Sequence, residues 1–85
     1  MISNKALVEV TVPASGEKFD VFIPLESRMS EVAKLVASAI SDLSEGKYRA
    51  TADAVLCDAE TGSLYDVNKE IAELGIQNGS RLLLI

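Results

Sequence analysis

Residues 6–23 read ALVEVTVPASGEKFDVFI, and this stretch predicts an antiparallel hairpin. Apolar side chains occupy every second position on both sides of the turn residues Pro13 and Gly16. Such alternation, with β-branched residues, is typical of half-buried strands, and the Pro and Gly indicate the turn between them. The two predicted strands are residues 6–12 and 18–23.

The chain after the hairpin predicts one amphipathic helix from Ser27 to Leu43, with Ser27 as its N-cap. Apolar residues recur there at spacings of three and four, which places them on one stripe of a helix. The stripe consists of Met29, Val32, Val36, Ala39, Ile40 and Leu43. Gly46 follows the helix and favours its termination, because glycine readily adopts a left-handed conformation.

The second half of the chain predicts three shorter strands. They are residues 54–57, 63–65 and 81–85, and Asn68 is expected to cap a single helical turn before the last of them. Residues 47–53 are compatible with a loop, an irregular sheet edge or the start of a strand.

These elements predict one α+β domain over residues 1–85, in which a mixed five-stranded sheet packs on one helix. Packing the helix against the sheet buries the apolar side of both and leaves the other sheet face in solvent. The predicted core is Val8, Val10, Val12, Phe19, Val21, Ile23, Met29, Val32, Val36, Ile40, Val55, Leu74, Ile76, Leu82 and Leu84.

The charge composition argues against several classes of partner. The 85-residue chain has 8 basic and 13 acidic residues, and the basic ones never cluster. Nucleic acids and anionic membranes both select clustered Lys and Arg, so neither is expected as a partner. No apolar run approaches the ~20 residues that span a bilayer, and the N-terminus does not resemble a signal peptide. With Cys57 as the only cysteine, the expected location is the cytoplasm.

Few residues could perform chemistry. The chain has no histidine, and Cys57 lies in an apolar run where a structural core thiol is expected rather than a nucleophile. Asp58, Glu60 and Asp66 do not have the spacing of a calcium loop and are better explained as turn residues. The sequence therefore predicts a protein that is not an enzyme and binds no metal or cofactor.

Apolar side chains on the solvent face of the sheet form a candidate protein-interaction patch. If Asp58 faces water, Cys57 must point inward and Leu56 outward, and the last strand has a similar alternation. The patch comprises Leu56, Leu83, Ile85, Phe22 and Leu7. These residues are either scattered surface hydrophobes, which are common, or a contiguous surface for a protein partner.

The order of the elements and the closing stretch IAELGIQNGSRLLLI, residues 71–85, resemble ubiquitin and other β-grasp proteins. The resemblance implies a ubiquitin-like roll whose last strand runs centrally and parallel to the first. It also implies that the sheet face opposite the helix is the docking surface.

The ending is also similar to the YukD/EsaB family of ubiquitin-like proteins. The shared residues are Gly75, Ile76, Asn78, Gly79, Leu82, Leu84 and Ile85. This resemblance implies an accessory or regulatory component of the type VII (ESX-like) secretion system of Gram-positive bacteria. Its expected partner is a membrane-anchored component or a motor ATPase of that machine.

Two alternatives concern the C-terminus. Sulfur carriers and protein modifiers of the ubiquitin type need a free Gly-Gly tail, whereas this chain ends at Ile85 inside a predicted strand. Such a role therefore requires a tail that has been cut away. A third possibility is that the chain is the ubiquitin-like domain of a longer membrane protein, and the full-length gene tests both alternatives.

Overall fold

The opening hairpin is confirmed by a computed structural model that describes residues 4–85; residues 1–3 of the predicted domain lie outside the described part. Strand β1 (Lys5–Val12) pairs antiparallel with β2 (Glu17–Pro24). Val8 and Val10 are 1% and 0% exposed, so the predicted inner face of β1 is the buried one. The β-branched side chains pack there against the helix side of the core.

The single helix α1 spans Met29–Leu43 and ends where the sequence predicts, with Gly46 in a left-handed conformation at φ 85°. The stripe of buried residues on α1 is displaced around the helix axis relative to the prediction. Ala33 and Ala37 are buried, whereas the predicted Leu43 is 57% exposed. The buried stripe is therefore rotated toward Ala33 and Ala37 relative to the prediction.

The start of α1 is not capped by Ser27, so that prediction is wrong. Arg28 occupies the N-cap position and makes no side-chain cap. Instead, the Met29 N–H donates to the Lys69 carbonyl at 2.9 Å, and the next N–H donates to the Val67 carbonyl at 3.0 Å. A distant backbone segment therefore satisfies the donors that a cap side chain usually takes.

Two short strands complete the sheet. Strand β3 is Leu56–Asp58 and β4 is Arg81–Leu84, and a 3₁₀ helix at Ile71–Leu74 precedes β4. The order across the sheet is β2-β1-β4-β3. β4 lies centrally and runs parallel to β1, as the resemblance implied.

The sheet of the described residues has four strands rather than the predicted five. The predicted strand at 63–65 is reduced to an isolated bridge between Leu64 and Cys57. Leu64 is 67% exposed, and Tyr65 is the one residue of this segment that packs against the core, so little apolar surface favours a longer pairing. Asp66 then accepts the Asn68 N–H at 2.9 Å, a local turn that redirects the chain. Asn68 is therefore a turn residue and not a helix cap.

The core contains most of the predicted residues, with three kinds of difference. Phe19, Val21 and Leu74 are only partly buried and pack against its rim. Val55 is also half-buried, and the β3 residue that enters the core is Leu56. The Cys57 thiol is buried, as expected. The buried apolar residues that were not predicted are Ala6, Ala33, Ala37, Leu56 and Ile71. No helix within residues 4–85 is long and apolar enough to cross a membrane.

Candidate docking surface

The face of the sheet opposite α1 is defined by strand register. Residues directly opposite each other on neighbouring strands point to the same side. We call this surface the outer face; it comprises Lys5, Leu7, Glu9, Thr11, Lys18, Asp20, Phe22, Pro24, Cys57, Arg81, Leu83 and, two residues further on and paired with Val55, Ile85.

Leu56 does not belong to the outer face, so the prediction that it points outward is wrong. It lies opposite Leu84, and these two side chains are 2% and 1% exposed on the helix side. The prediction assumed that Asp58 must face water across the sheet. Asp58 instead ends the strand, and its carboxylate accepts the Glu60 N–H at 2.8 Å. It is thus satisfied locally, and Cys57 takes the outer side.

The other four predicted patch residues lie on the outer face, but they form two separate groups. Leu7 and Phe22 are directly opposite each other, and we call them the Phe22 end. Leu83 lies further along the sheet with Ile85, and we call these two the Leu83 end. Phe22 and Ile85 are 66% and 57% exposed, whereas Leu83 is half-buried.

A row of charged side chains separates the two ends. Asp20 lies opposite Glu9, and Glu9 lies opposite Arg81. The next row contains Lys18, Thr11 and Leu83. The patch is therefore not one contiguous apolar surface, because two acidic groups and a guanidinium lie across its middle.

The Phe22 end is the better candidate for a docking site. It lies in a shallow depression of about 650 Å³ whose other walls include Lys18, Asp20 and Arg81. An exposed aromatic residue surrounded by charged groups is typical of the energetic centre of a protein interface.

Asn78 and Gly79 hold the Phe22 end in place. The Leu7 N–H donates to Asn78 Oδ1 at 2.8 Å, and the Gly79 N–H donates to the Leu7 carbonyl at 2.9 Å. Gly79 has a φ of 88°, a conformation that other residues rarely adopt. The sequence indicated this Asn-Gly turn but not that its amide side chain binds the backbone of β1.

An apolar groove on the β3 side of α1 was not predicted. It measures about 400 Å³, and its walls include Met29, Ala33, Leu56, Leu64 and Val67. Leu64 and Val67 are 67% and 46% exposed. The sequence signal for it was limited to two large apolar residues, Leu64 in a predicted strand and Val67 in the connection after it.

The titratable groups near β3 give no sign of a reactive centre. Burial raises the pKa of the Cys57 thiol, which disfavours the thiolate that a nucleophile requires. Burial also raises the pKa of Tyr65 to about 12, with smaller contributions from the negative charges of Asp58, Cys57 and Glu60. Across residues 4–85, no cluster of acidic, His or Cys side chains could hold a metal ion.

The raised pKa of Tyr65 predicts an alkaline loss of stability. Below pH 10.0 the phenol is protonated in both states, whereas up to about pH 12 only the unfolded chain releases the proton. The free energy of unfolding should therefore fall across this window. Urea unfolding at several pH values should show a shallower decline for Tyr65→Phe than for the wild type. An equal decline in both proteins would contradict the prediction.

Comparison with known proteins supports the fold through structure rather than sequence. No protein-family model matches the chain, and no curated protein matches its sequence. The ubiquitin-like domain of the Mycobacterium tuberculosis type VII secretion protein ECCD1 superimposes with a TM-score of 0.77 at 15% identity, covering 98% of this chain and 99% of that one.

Two further structures have the same arrangement. The EccD5 ubiquitin-like domain from Mycobacterium xenopi gives a TM-score of 0.73 at 20% identity, covering 98% of this chain and 94% of that one. A chain of the MycP5-free ESX-5 inner membrane complex gives 0.74 at 21% identity; the match covers 98% of this chain but only 21% of that much longer one. The chain thus has a ubiquitin-like β-grasp fold, with a mixed sheet on one helix, structurally similar to the ubiquitin-like domains of type VII secretion EccD proteins.

Proposed function

We propose that the chain is a non-catalytic ubiquitin-like interaction module of a type VII secretion system. The main support for this proposal is the structural match to the ECCD1 domain, which covers 98% of this chain and 99% of that domain. A non-catalytic role agrees with the buried Cys57 thiol and its raised pKa. An accessory or regulatory protein of the YukD/EsaB type is the specific form of this proposal.

The docking surface in this proposal is the Phe22 end of the outer face. Phe22 is 66% exposed and supplies the anchor, and Asp20 and Arg81 lie beside it to fix orientation and exclude wrong partners. The partner is a membrane-anchored component or the motor ATPase of the machine. A net charge of −5 also favours a protein partner over a nucleic acid.

Affinity capture from solubilised membranes of the native host tests this function. The wild type is expected to retain secretion-machine components, and Phe22→Asp should reduce their recovery by about tenfold or more, because a charge replaces the aromatic anchor. Leu35→Asp is the matched control, since Leu35 is 58% exposed but lies on α1, on the opposite side of the sheet from the outer face. Recovery that Phe22→Asp leaves unchanged would refute docking at this end, and recovery of adenylating enzymes would refute the secretion role.

A second candidate is the ubiquitin-like domain of a longer membrane protein. The observation in its favour is the ESX-5 inner membrane chain, of which this chain spans 21%. Immunoblotting of the native protein in host membranes decides between the two. A membrane-bound band several times heavier than the 9.1 kDa chain would support this candidate, and a band of that mass would exclude it.

A further inference from the structure

Strand β2 lies at the edge of the described sheet, and the strand register shows which of its backbone N–H and C=O groups have no partner strand. The Glu9 N–H donates to the Ser80 carbonyl at 3.0 Å, so the backbone of Glu9 faces β4. Asp20 lies directly opposite Glu9, and directly opposite residues of an antiparallel pair exchange both hydrogen bonds or neither. The backbone groups of Asp20 therefore point away from β1, as do those of Lys18 and Phe22. β2 is the outermost strand of the described sheet, so these groups meet solvent.

The inner side of the same edge keeps apolar surface uncovered. Val8 and Val10 on β1 are fully buried, but Phe19 and Val21, their partners on β2, are only partly buried. An added strand beside β2 would cover both side chains. An open edge with exposed apolar side chains is a template for pairing with another strand.

The neighbouring flank of α1 is apolar as well. Ala33 and Lys34 line the groove toward β3. Since successive helical residues are rotated by about 100°, Leu35 and Leu43 fall on the opposite flank, toward β2. They are 58% and 57% exposed. The β2 side of the molecule therefore combines a free strand edge with an apolar helix flank.

The charged residues of β2 favour one register for pairing with β2 of a second copy. Two copies of β2 that pair antiparallel along most of their length have a two-fold axis near the middle of the strand, at Phe19, Asp20 or Val21. An axis at Asp20 sets two carboxylates face to face, and an axis at Val21 sets Asp20 against Phe22. An axis at Phe19 instead places Lys18 of each copy opposite Asp20 of the other, on the same face. Opposite charges directly across a ladder are favourable and like charges are not.

We propose that the β2 edge is a self-association surface, which joins two copies of this chain antiparallel about Phe19. Lys18 and Asp20 exchange backbone hydrogen bonds and form an ion pair in each half of the interface. Phe19 packs against its symmetry mate, and the joined sheets become continuous. An isologous contact of this kind closes on itself and does not propagate into a fibre. The proposal does not depend on the secretion role.

Charge reversal tests both the surface and its register. Sedimentation velocity across increasing protein concentration should show a reversible monomer–dimer equilibrium for the wild type. Lys18→Asp and Asp20→Lys should each weaken it by about tenfold or more, since each places like charges opposite one another. The double variant restores both ion pairs with exchanged signs and should recover dimerisation. Lys34→Asp makes the same charge change on the other flank of α1 and should leave dimerisation intact.

Hydrogen exchange gives a second readout that a general charge effect would not alter. The amide protons of Lys18 and Asp20 should become protected as concentration rises. The proposal is overturned if the wild type stays monomeric at the highest soluble concentration, or if the double variant fails to dimerise while circular dichroism shows it folded. Protection of these amides only when a secretion-machine component is added would also overturn it, because β2 would then take a strand from a different protein.

Discussion

Leu56→Asp is expected to leave the chain unfolded at room temperature. Leu56 is 2% exposed, faces the helix side of the sheet and lies opposite the buried Leu84. Loss of a buried leucine costs about 2–5 kcal/mol, and an unpaired buried carboxylate adds several more. Together these approach the entire stability of a small domain, about 5–15 kcal/mol. Far-UV circular dichroism and thermal unfolding would report the loss directly.

Leu83→Asp is the matched control for this prediction. Leu83 neighbours Leu84 on β4 but lies on the outer face, where it is half-buried beside Thr11. We expect the variant to fold, with a cost of about 1 kcal/mol, because its carboxylate can reach water. The opposite result, with Leu83→Asp unfolded and Leu56→Asp folded, would show that β3 and β4 have the reverse facing.

The elements that the sequence predicted well are those with long apolar patterns. β1 and β2 each have 8 residues, so period-two alternation identifies the buried face of Val8 and Val10 without ambiguity. The helix has 15 residues, and most of its apolar stripe is correct for the same reason. A long amphipathic segment can bury its apolar side in only one orientation, so the face predicted from the pattern is the face that is buried in the fold.

The facing of β3 could not be predicted because the strand has only 3 residues. The assumption that Asp58 faces water suggested that Leu56 points outward, whereas pairing with β4 places Leu56 on the buried side. Asp58 is compatible with either facing once its carboxylate binds a backbone N–H of the following turn. In so short a strand, the partner strand decides which side chain is buried.

The division of the candidate patch was hidden for a related reason. Alternation shows which side of a strand a residue occupies, but not which residues are its lateral neighbours. The parallel register of β1 and β4 places Arg81 beside Glu9, and the Asn78 contact to Leu7 lies at the start of that register. No local pattern in either strand contains this information, so the charged row appears only in the folded sheet.

Ile71 illustrates a core residue that sequence patterning missed. It lies in a 3₁₀ helix of 4 residues, too short to show a period, yet it is 0% exposed. Its N–H donates to the Ser27 carbonyl at 3.0 Å, and the Lys69 carbonyl accepts the Met29 N–H at 2.9 Å. The buried side chain therefore fixes the segment that caps α1.

Ile71→Ala is expected to destabilise the protein by about 2–4 kcal/mol, because truncation leaves a cavity that the surrounding core fills only in part. For a domain of this size, that lowers the melting temperature by roughly 10 °C or more. The amide protons of Met29 and Ser30 should also exchange faster, since their acceptors lie just before Ile71. Leu74→Ala changes a partly buried residue of the same 3₁₀ helix and should have a smaller effect on both measurements. Equal effects of the two changes would mean that this segment does not depend on the Ile71 side chain to hold the start of α1.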